Sequence, residues 1–369
     1  MRKSIILGIL AVLSTIVVWL PFFFKLPALG PWNLDFSQRM ITVWKNFDGP
    51  NYLIIAKTWY DKEAIRVNFS SPLPLEYYPA HLPVYPALIA IFDVFFRGPW
   101  AMLLATLLGD GLVFVVFYKY LESLKIKNKL FLGLIWMILP ARFLVVRSVG
   151  SPEPWFILFI LLSLMAFKKE RYLLAGIWGA LAQLTKSPGI LLFVAYLAFI
   201  IFEKKQKLLK YWPILLIPVS ALGLFVFYQW RVGDFWAYFK SGDNFHLFWP
   251  PFSIFTPKGN FWTGDFWLEE IIWLWLIYGI GLMKIWKRGM KLEGIFGGIF
   301  FLTTIFIAHR DIARYILPIS PFVLIGWEKT LAKKEYQYLL LALILPVFLY
   351  SWQFITHNVS PIADWAPYF

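Results

Sequence analysis

Asp48 is the acidic residue whose surroundings best suit it to catalysis. It stands in the segment NFDGPNYLIIAKTWY, directly before a Gly-Pro turn. The apolar residues that follow, Tyr52 first among them, recur at helical spacing and predict a helix in a membrane interface. A carboxylate held there is partly desolvated, which raises its pKa and suits it to general-base chemistry. Capping of the following helix is the competing interpretation of Asp48, and Tyr52 is a further candidate for contacting a substrate.

The same part of the chain contains four other candidate residues. Glu76 and His81 flank a Tyr-Tyr-Pro sequence and are candidates for secondary acid-base or substrate contacts. A polar loop is the competing interpretation of His81, and the one its surroundings favour. Asp61 and Glu63 form an Asp-x-Glu pair of the oxygen ligands that Mg²⁺ and Mn²⁺ prefer. Basic residues beside that pair favour a solvated run of charges over a metal site. No cofactor is firmly predicted, and a divalent metal would be held here if one is used.

Composition indicates that membrane helices position these residues. Of the 369 residues, 60% are hydrophobic and 15% are charged, against roughly 45–50% and about 25% in soluble domains. This excludes an ordinary soluble protein and makes lipid the main solvent. The chain has no cysteine and four histidines, which excludes disulfides and thiolate chemistry and argues against a histidine-rich metal cage.

Eleven apolar stretches are predicted to cross the membrane, since a crossing takes about 20 mostly apolar residues and shorter stretches cross when tilted or half-buried. They run over 4–24, 100–121, 130–147, 152–167, 172–186, 188–203, 211–230, 268–286, 294–309, 312–328 and 338–355. The stretch 82–96 is instead predicted to be an interfacial or re-entrant helix, because a crossing there would reverse the side of later basic residues. We therefore expect an all-α polytopic protein with one transmembrane domain over residues 1–369.

The basic residues predict the orientation of these spans. Placing the N-terminus inside puts six basic clusters on the cytoplasmic side: Arg2–Lys3, Lys119–Lys129, Lys168–Arg171, Lys204–Lys210, Lys284–Lys291 and Lys329–Lys334. Counted with the acids within and directly beside them, these clusters carry the entire formal net charge of +14, as the positive-inside rule requires, so no nucleic-acid partner is needed to explain it. The C-terminus is then external.

Two long external segments follow from this orientation, residues 25–99 with interfacial helices and residues 231–267. The cytoplasmic loops are short, basic and chemically plain, so we expect the catalytic face to be external, with 25–99 as the catalytic loop. A catalyst there has no access to cytoplasmic ATP or sugar nucleotides. A membrane-delivered lipid donor is therefore the natural substrate of an enzyme with this topology.

Five segments resemble motifs of the GT-C integral-membrane glycosyltransferases. They are FDGxxYLxIAxxxY from Phe47, YPxxLPVYPxLI from Tyr78, SPEPWFILF from Ser151, LTKSPGILL from Leu184 and RYILPISP from Arg314. The first two are most similar to the GPI mannosyltransferase 2 family and its prokaryotic relatives. Phe47 and Tyr78 replace the Trp and Phe usual in that family, and both keep an aromatic ring.

The resemblance implies transfer of a sugar, often mannose, from a polyprenyl- or dolichyl-phosphate donor to a lipid, glycan or protein acceptor. It makes Asp48 the general base of an inverting reaction. The departing phosphate needs cationic stabilisation, and Lys186, Arg310 and Arg314 stand at predicted outer ends of spans where they can reach it. Snorkelling of these side chains to the interface is the competing interpretation.

Two further acids stand in or beside predicted spans. Glu153 is a candidate for orienting the acceptor or for pairing with Arg147 or Lys186, and a carboxylate favoured by the helix dipole is the alternative. Asp110 lies within a span and must be paired or face a polar cavity.

Two other functions remain open at this point, a lipid or sugar transporter or flippase and a non-catalytic subunit of a glycosylation complex. The chain shows no clear internal repeat, which argues against a transporter. In each case the protein is a multi-pass integral membrane protein, in the plasma membrane of a prokaryote or the endoplasmic reticulum of a eukaryote.

Overall fold

The computed structural model describes residues 2–46, 48–70, 73–203, 208–241, 247–256 and 267–369. The first part contains α1 (Arg2–Phe24), α2 (Met40–Trp44), α3 (Gly49–Thr58), α4 (Lys62–Asn68), α5 (Val84–Asp93), α6 (Pro99–Ser123), α7 (Lys129–Ile138), α8 (Ala141–Arg147) and α9 (Glu153–Lys168). The second contains α10 (Tyr172–Thr185), α11 (Leu191–Glu203), α12 (Leu216–Val232), α13 (Leu268–Lys287), α14 (Lys291–Thr304), α15 (Ile312–Tyr315), α16 (Ser320–Leu331), α17 (Lys334–Ala342) and α18 (Ile344–His357). Three isolated β-bridges are the extended pairings in these ranges. The expected all-α architecture is confirmed.

Four helical stretches of the described chain are long and apolar enough to cross a membrane: Arg2–Phe24, Pro99–Ser123, Leu209–Val232 and Lys334–His357. The pair α7 and α8 makes a fifth if it counts as one broken span. Many outward side chains of α1 are large, apolar and exposed, as expected for a surface that faces lipid. The count of eleven spans stays a prediction, as does the orientation. Phe47 and parts of 204–210 and 231–267 lie outside the described residues.

The predicted span 130–147 bends sharply at Pro140. The axes of α7 and α8 differ by 76°, and Leu139 has the extended backbone angles φ −126° and ψ 130°. Proline lacks the N–H that a continuing helix needs and disfavours a helical residue before it. Helix α8 packs against α9, which follows it in the chain.

Helix α5 is ten residues long, too short to cross a bilayer that takes about 20 residues. It packs against α3 and α6, and Tyr85 is among its buried residues. The interfacial or re-entrant placement of 82–96 stays a prediction. The helix forms one wall of the region around Asp48.

A buried ion pair ties together α1, α6 and α8 behind that region. Arg147 is fully buried and lies 3.1 Å from Asp110, which is also fully buried. The Thr15 hydroxyl also donates a hydrogen bond to Asp110. Asp110 thus has the partner that a carboxylate within a span requires, and both charges are engaged in holding the bundle together.

Candidate active site

Asp48 stands at the N-terminal end of α3, but its side chain does not cap that helix. Its backbone carbonyl accepts the N–H groups of Asn51 and Tyr52 at 3.0 and 3.2 Å. The carboxylate instead accepts a hydrogen bond from Arg314, with 3.1 Å between Oδ2 and Nη1. The capping interpretation therefore does not describe what this side chain does.

Glu153 is the hub of the charged cluster around Asp48. It is 1% exposed, and its Oε1 accepts hydrogen bonds from Arg314 Nε and Lys186 Nζ, both at 2.6 Å. Its Oε2 accepts a hydrogen bond from the Ser151 hydroxyl. Two ion-pair partners were predicted for Glu153. The structure pairs it with Lys186, because Arg147 forms its ion pair with Asp110. Arg314 bridges the two carboxylates.

Two carboxylates and two cations from four separate segments thus form one balanced cluster. We expected Lys186 and Arg314 to face a donor phosphate, and the structure shows each of them already paired within the protein. The Lys186 side chain is 22% exposed and that of Arg314 is 10% exposed. An incoming anion therefore meets Lys186 more readily than Arg314.

His81 completes the surroundings of Asp48. It is 4% exposed, and its Nε2 lies 3.8 Å from Asp48 Oδ1. The rings of Tyr52 and Tyr77 pack against the imidazole, with centroids at 4.8 and 5.2 Å. The Tyr60 hydroxyl donates a hydrogen bond to the His81 carbonyl at 2.5 Å. His81 and Tyr52 therefore both belong to the site.

Burial alone would raise the pKa of Asp48, but the His81 imidazole and the Arg314 guanidinium outweigh it and hold that pKa below the usual aspartate value. The expectation of a raised pKa was wrong because it counted desolvation without these neighbours. Burial and the charges of Asp48 and Glu153 raise the pKa of Tyr52 well above its ordinary value. At neutral pH the site thus presents an ionised carboxylate beside a protonated phenol.

Two glycines let the Asp48 turn approach the start of α9. A Cβ on Gly49 would lie 3.2 Å from Met102 Sδ and 3.4 Å from the carbonyl oxygen of Gly150. A Cβ on Gly150 would lie 2.3 Å from the same sulfur, closer than atoms can approach. Because Gly49 and Gly150 have no side chain at Met102, the two segments can approach closely enough for Asp48 and Glu153 to bond the same guanidinium, that of Arg314.

Hydrogen bonds between neighbouring elements fix the aromatic wall of the site. The Thr106 hydroxyl lies 2.6 Å from the Tyr85 hydroxyl and accepts the N–H of Ser151 at 3.3 Å. The Tyr85 ring packs edge-on against Tyr52 at 4.9 Å. These contacts connect helices α3, α5 and α6 to Ser151, whose hydroxyl donates a hydrogen bond to Glu153.

Arg310 and Glu76 do not join the cluster. Both are exposed, and neither side chain forms a hydrogen bond or ion pair within the described chain. Next to Arg310, Asp311 pairs with Arg142 at 2.5 Å. This pair was not anticipated, although an acid at the predicted start of a span signalled the need for a partner.

The Asp61 and Glu63 pair is used structurally. Asp61 caps α4 by accepting the Ala64 N–H at 2.9 Å and lies 3.2 Å from Arg231. Glu63 lies 2.8 Å from Arg66 on the exposed surface. Across the described ranges, no group of three or more His, Cys, Asp or Glu side chains is arranged to hold a metal ion. The charge-run interpretation describes these residues best.

Comparison with known proteins identifies a fold relative. No protein-family model and no curated protein matches the sequence. Among solved structures, the chain resembles the crystal structure of ArnT from Cupriavidus metallidurans bound to undecaprenyl phosphate, with a TM-score of 0.54 and 16% sequence identity. The match covers 92% of this chain and 63% of the ArnT chain, so this chain spans less than two thirds of that protein. At this identity the likeness shows a shared fold.

Proposed function

We propose that this protein is a GT-C-type glycosyltransferase that uses a polyprenyl- or dolichyl-phosphate sugar at the external membrane face. The observation that carries the proposal is the cluster in which Arg314 joins Asp48 to Glu153. Its four charged residues all come from segments that resemble GT-C motifs. The crystal structure of ArnT, which this chain resembles in fold, has undecaprenyl phosphate bound, which supports a lipid phosphate as the ligand here.

The geometry fits a single displacement at the sugar. Asp48 Oδ2 is bonded to Arg314, whereas Oδ1 accepts no hydrogen bond from the described residues and is available to an acceptor hydroxyl. As the acceptor oxygen bonds to the anomeric carbon, its proton passes to Asp48 and the carbon–oxygen bond to phosphate breaks. The phosphate leaves with the electron pair and the anomeric configuration inverts. A phosphate already departs as an anion, so no protonating acid is required.

The charge-balanced cluster needs another cation for the phosphate. Arg310 is exposed and has no ion pair within the described chain, and it stands four residues before Arg314. One guanidinium group can bind two phosphate oxygens at once, because its N–H donors are held in a rigid, planar fork. We therefore assign first contact with the donor phosphate to Arg310, with Lys186 as the second cation.

Replacing Arg310 with glutamine is expected to raise the KM for a polyprenyl-phosphate sugar roughly 10- to 100-fold, because a charge-assisted hydrogen bond contributes about 1.5–3 kcal/mol. The kcat should change little, since the base and its partners remain. The measurement is steady-state transfer by purified protein in nanodiscs. Arg66→Gln is the matched control, an exposed arginine paired with Glu63, and should behave as wild type.

An unchanged KM in Arg310→Gln would remove this residue from the donor site. Equal losses in Arg310→Gln and Arg66→Gln would point to a general effect of surface charge. Complete absence of transfer by the wild-type protein with every polyprenyl-phosphate sugar tested would contradict the enzymatic function itself.

Mannose as the sugar, and a particular closeness to the GPI mannosyltransferase 2 family, are proposed from the motifs that begin at Phe47 and Tyr78. The acceptor is proposed to be a lipid, glycan or protein that presents a hydroxyl at the external face. The mechanism above depends on a hydroxyl nucleophile and a phosphate leaving group, and it holds for any sugar carried in this way.

A further inference from the structure

Arg142 and Asp311 form an ion pair beside Arg310, and the proposed reaction gives this pair no role. Arg142 Nε donates a hydrogen bond to Asp311 Oδ1 at 2.8 Å, and Nη2 donates one to Oδ2 at 2.5 Å. One guanidinium therefore holds both oxygens of the carboxylate, the arrangement in which arginine binds a carboxylate most specifically. The pair joins the second residue of α8 to the residue directly before α15.

The surroundings of Arg142 exclude it from direct contact with a ligand. The residue is 5% exposed, and its Cζ lies 3.8 Å from the centroid of the Phe354 ring in α18. An aromatic face attracts a guanidinium placed over it. With Phe354 on its face and the Asp311 carboxylate along its edge, the guanidinium is engaged within the protein.

The main chain of Asp311 is fixed as well as its side chain. Its N–H donates a hydrogen bond to His309 Nδ1 at 3.0 Å, and its carbonyl accepts the N–H of Arg314 at 2.8 Å. The side chain keeps 15% of its surface exposed, so water and polar ligands can approach it. Asp311 thus stands between the two arginines of the donor site in the chain, with its carboxylate directed away to α8.

A carboxylate in this position is a natural competitor of a phosphate for Arg310. Arg310 is the next residue in the chain, is exposed, and has no ion pair within the described ranges. A group tethered by a short piece of chain has an effective concentration of about millimolar. An Asp311 side chain without its partner in α8 would therefore pair with Arg310 and oppose the approach of an anion.

We propose that Arg142 is a positioning residue that sequesters the Asp311 carboxylate and so leaves the Arg310 guanidinium unpaired for the donor phosphate. This inference rests on the proposed glycosyl transfer and on the assignment of Arg310 as the first phosphate contact. Arg142 acts through Asp311 and touches neither the sugar nor the phosphate. Its contribution is to donor affinity, because Asp48 and its partners are unchanged when Arg142 is replaced.

The test measures transfer from a polyprenyl-phosphate mannose by Arg142→Gln and by the double variant Arg142→Gln/Asp311→Asn. Arg142→Gln should raise the donor KM roughly 3- to 10-fold with little change in kcat, a smaller rise than in Arg310→Gln because an ion pair near the surface is partly screened. The double variant should return toward the wild-type KM, since no carboxylate is left to compete. A pair that only tethers α15 to α8 would leave the double variant as impaired as Arg142→Gln.

Arg288→Gln is the matched control, because Arg288 is a half-buried arginine that pairs with Glu328 at 3.0 Å, and it should keep the wild-type donor KM. Should Arg142→Gln fail to fold, Arg142→Lys replaces it in both variants, since an ammonium group cannot hold both carboxylate oxygens in the same way. A wild-type KM in the Arg142 variant, no recovery on adding Asp311→Asn, or an equal rise in Arg288→Gln overturns the inference.

Binding of polyprenyl phosphate alone, measured as a Kd on the same variants in nanodiscs, separates this inference from the proposed function. The Kd should rise in Arg142→Gln and recover in the double variant. If it does so while the wild-type protein transfers no sugar, the enzymatic function fails and the role of Arg142 stands. If Arg310→Gln is impaired while Arg142→Gln binds and transfers as wild type, the role of Arg142 alone fails.

Discussion

Replacing Asp48 with asparagine is expected to lower the rate of sugar transfer about 10²- to 10⁴-fold while leaving donor binding intact, the loss typical of a missing general base. The amide keeps the size of the side chain, and its oxygen still accepts the Arg314 hydrogen bond seen at 3.1 Å. It cannot take the acceptor proton. The measurement is kcat in nanodiscs, with the Kd of the lipid donor determined in parallel.

Asp35→Asn is the control for this substitution. Asp35 is exposed in the same segment and hydrogen-bonds only locally, to Ser37, so its loss should leave transfer unchanged. Glu76→Gln and Asp61→Asn test the rival acids of the segment. If Asp48→Asn keeps near-wild-type turnover while one of these two variants is inactive, the general base is the residue changed in the inactive variant. Loss of activity on addition of a chelator would implicate Asp61 or Glu63.

Replacing Arg314 should have the second-largest effect on activity, because this side chain hydrogen-bonds the carboxylates of both Asp48 and Glu153. Truncating one partner of a buried, hydrogen-bonded charge pair typically costs about 2–5 kcal/mol, so Arg314→Gln should reduce kcat/KM by roughly 30-fold or more. Arg314→Lys keeps the charge but lacks the fork that joins Asp48 to Glu153 through Nη1 and Nε. It should therefore fall between wild type and Arg314→Gln.

The pH dependence of Arg314→Gln separates this role from simple damage. Asp48 must be ionised to act as a base, and Arg314 helps to keep its pKa below the usual aspartate value. Without the guanidinium, burial acts unopposed by that charge and the pKa rises. Activity should then be lost at a higher pH than in wild type as the solution is acidified. A reduced rate with an unshifted acid limb would contradict the coupling of Arg314 to Asp48.

The individual members of the site could be predicted from the sequence, whereas their pairing could not. Asp48, Glu153, Lys186 and Arg314 stand in motifs that were recognisable one by one. The bond between Asp48 and Arg314 joins residues 266 positions apart, and no local pattern indicates which of several cations a given carboxylate will meet. The error in the pKa of Asp48 has this origin, since its sign depends on partners that only the fold supplies.

The helical architecture follows from composition, but helix lengths do not. A run of apolar residues predicts a helix wherever water is absent, because every backbone group must then bond within its own segment. Pro140 divides one predicted span into α7 and α8 at an angle of 76°, a local break that the apolar composition of the stretch does not reveal. Hydropathy averages over such a break and therefore overestimates how much of the chain runs straight.

The fate of the donor shows whether this protein transfers the sugar. Purified protein in nanodiscs is given an isotope-labelled polyprenyl-phosphate mannose and a lipid and glycan extract as acceptor, and the released polyprenyl phosphate and the anomeric configuration of the product are determined together. We predict one polyprenyl phosphate for each sugar transferred, a product of inverted configuration, and neither signal in Asp48→Asn. Retained configuration, or donor that crosses the bilayer with its sugar–phosphate bond intact, would contradict inverting sugar transfer by this protein.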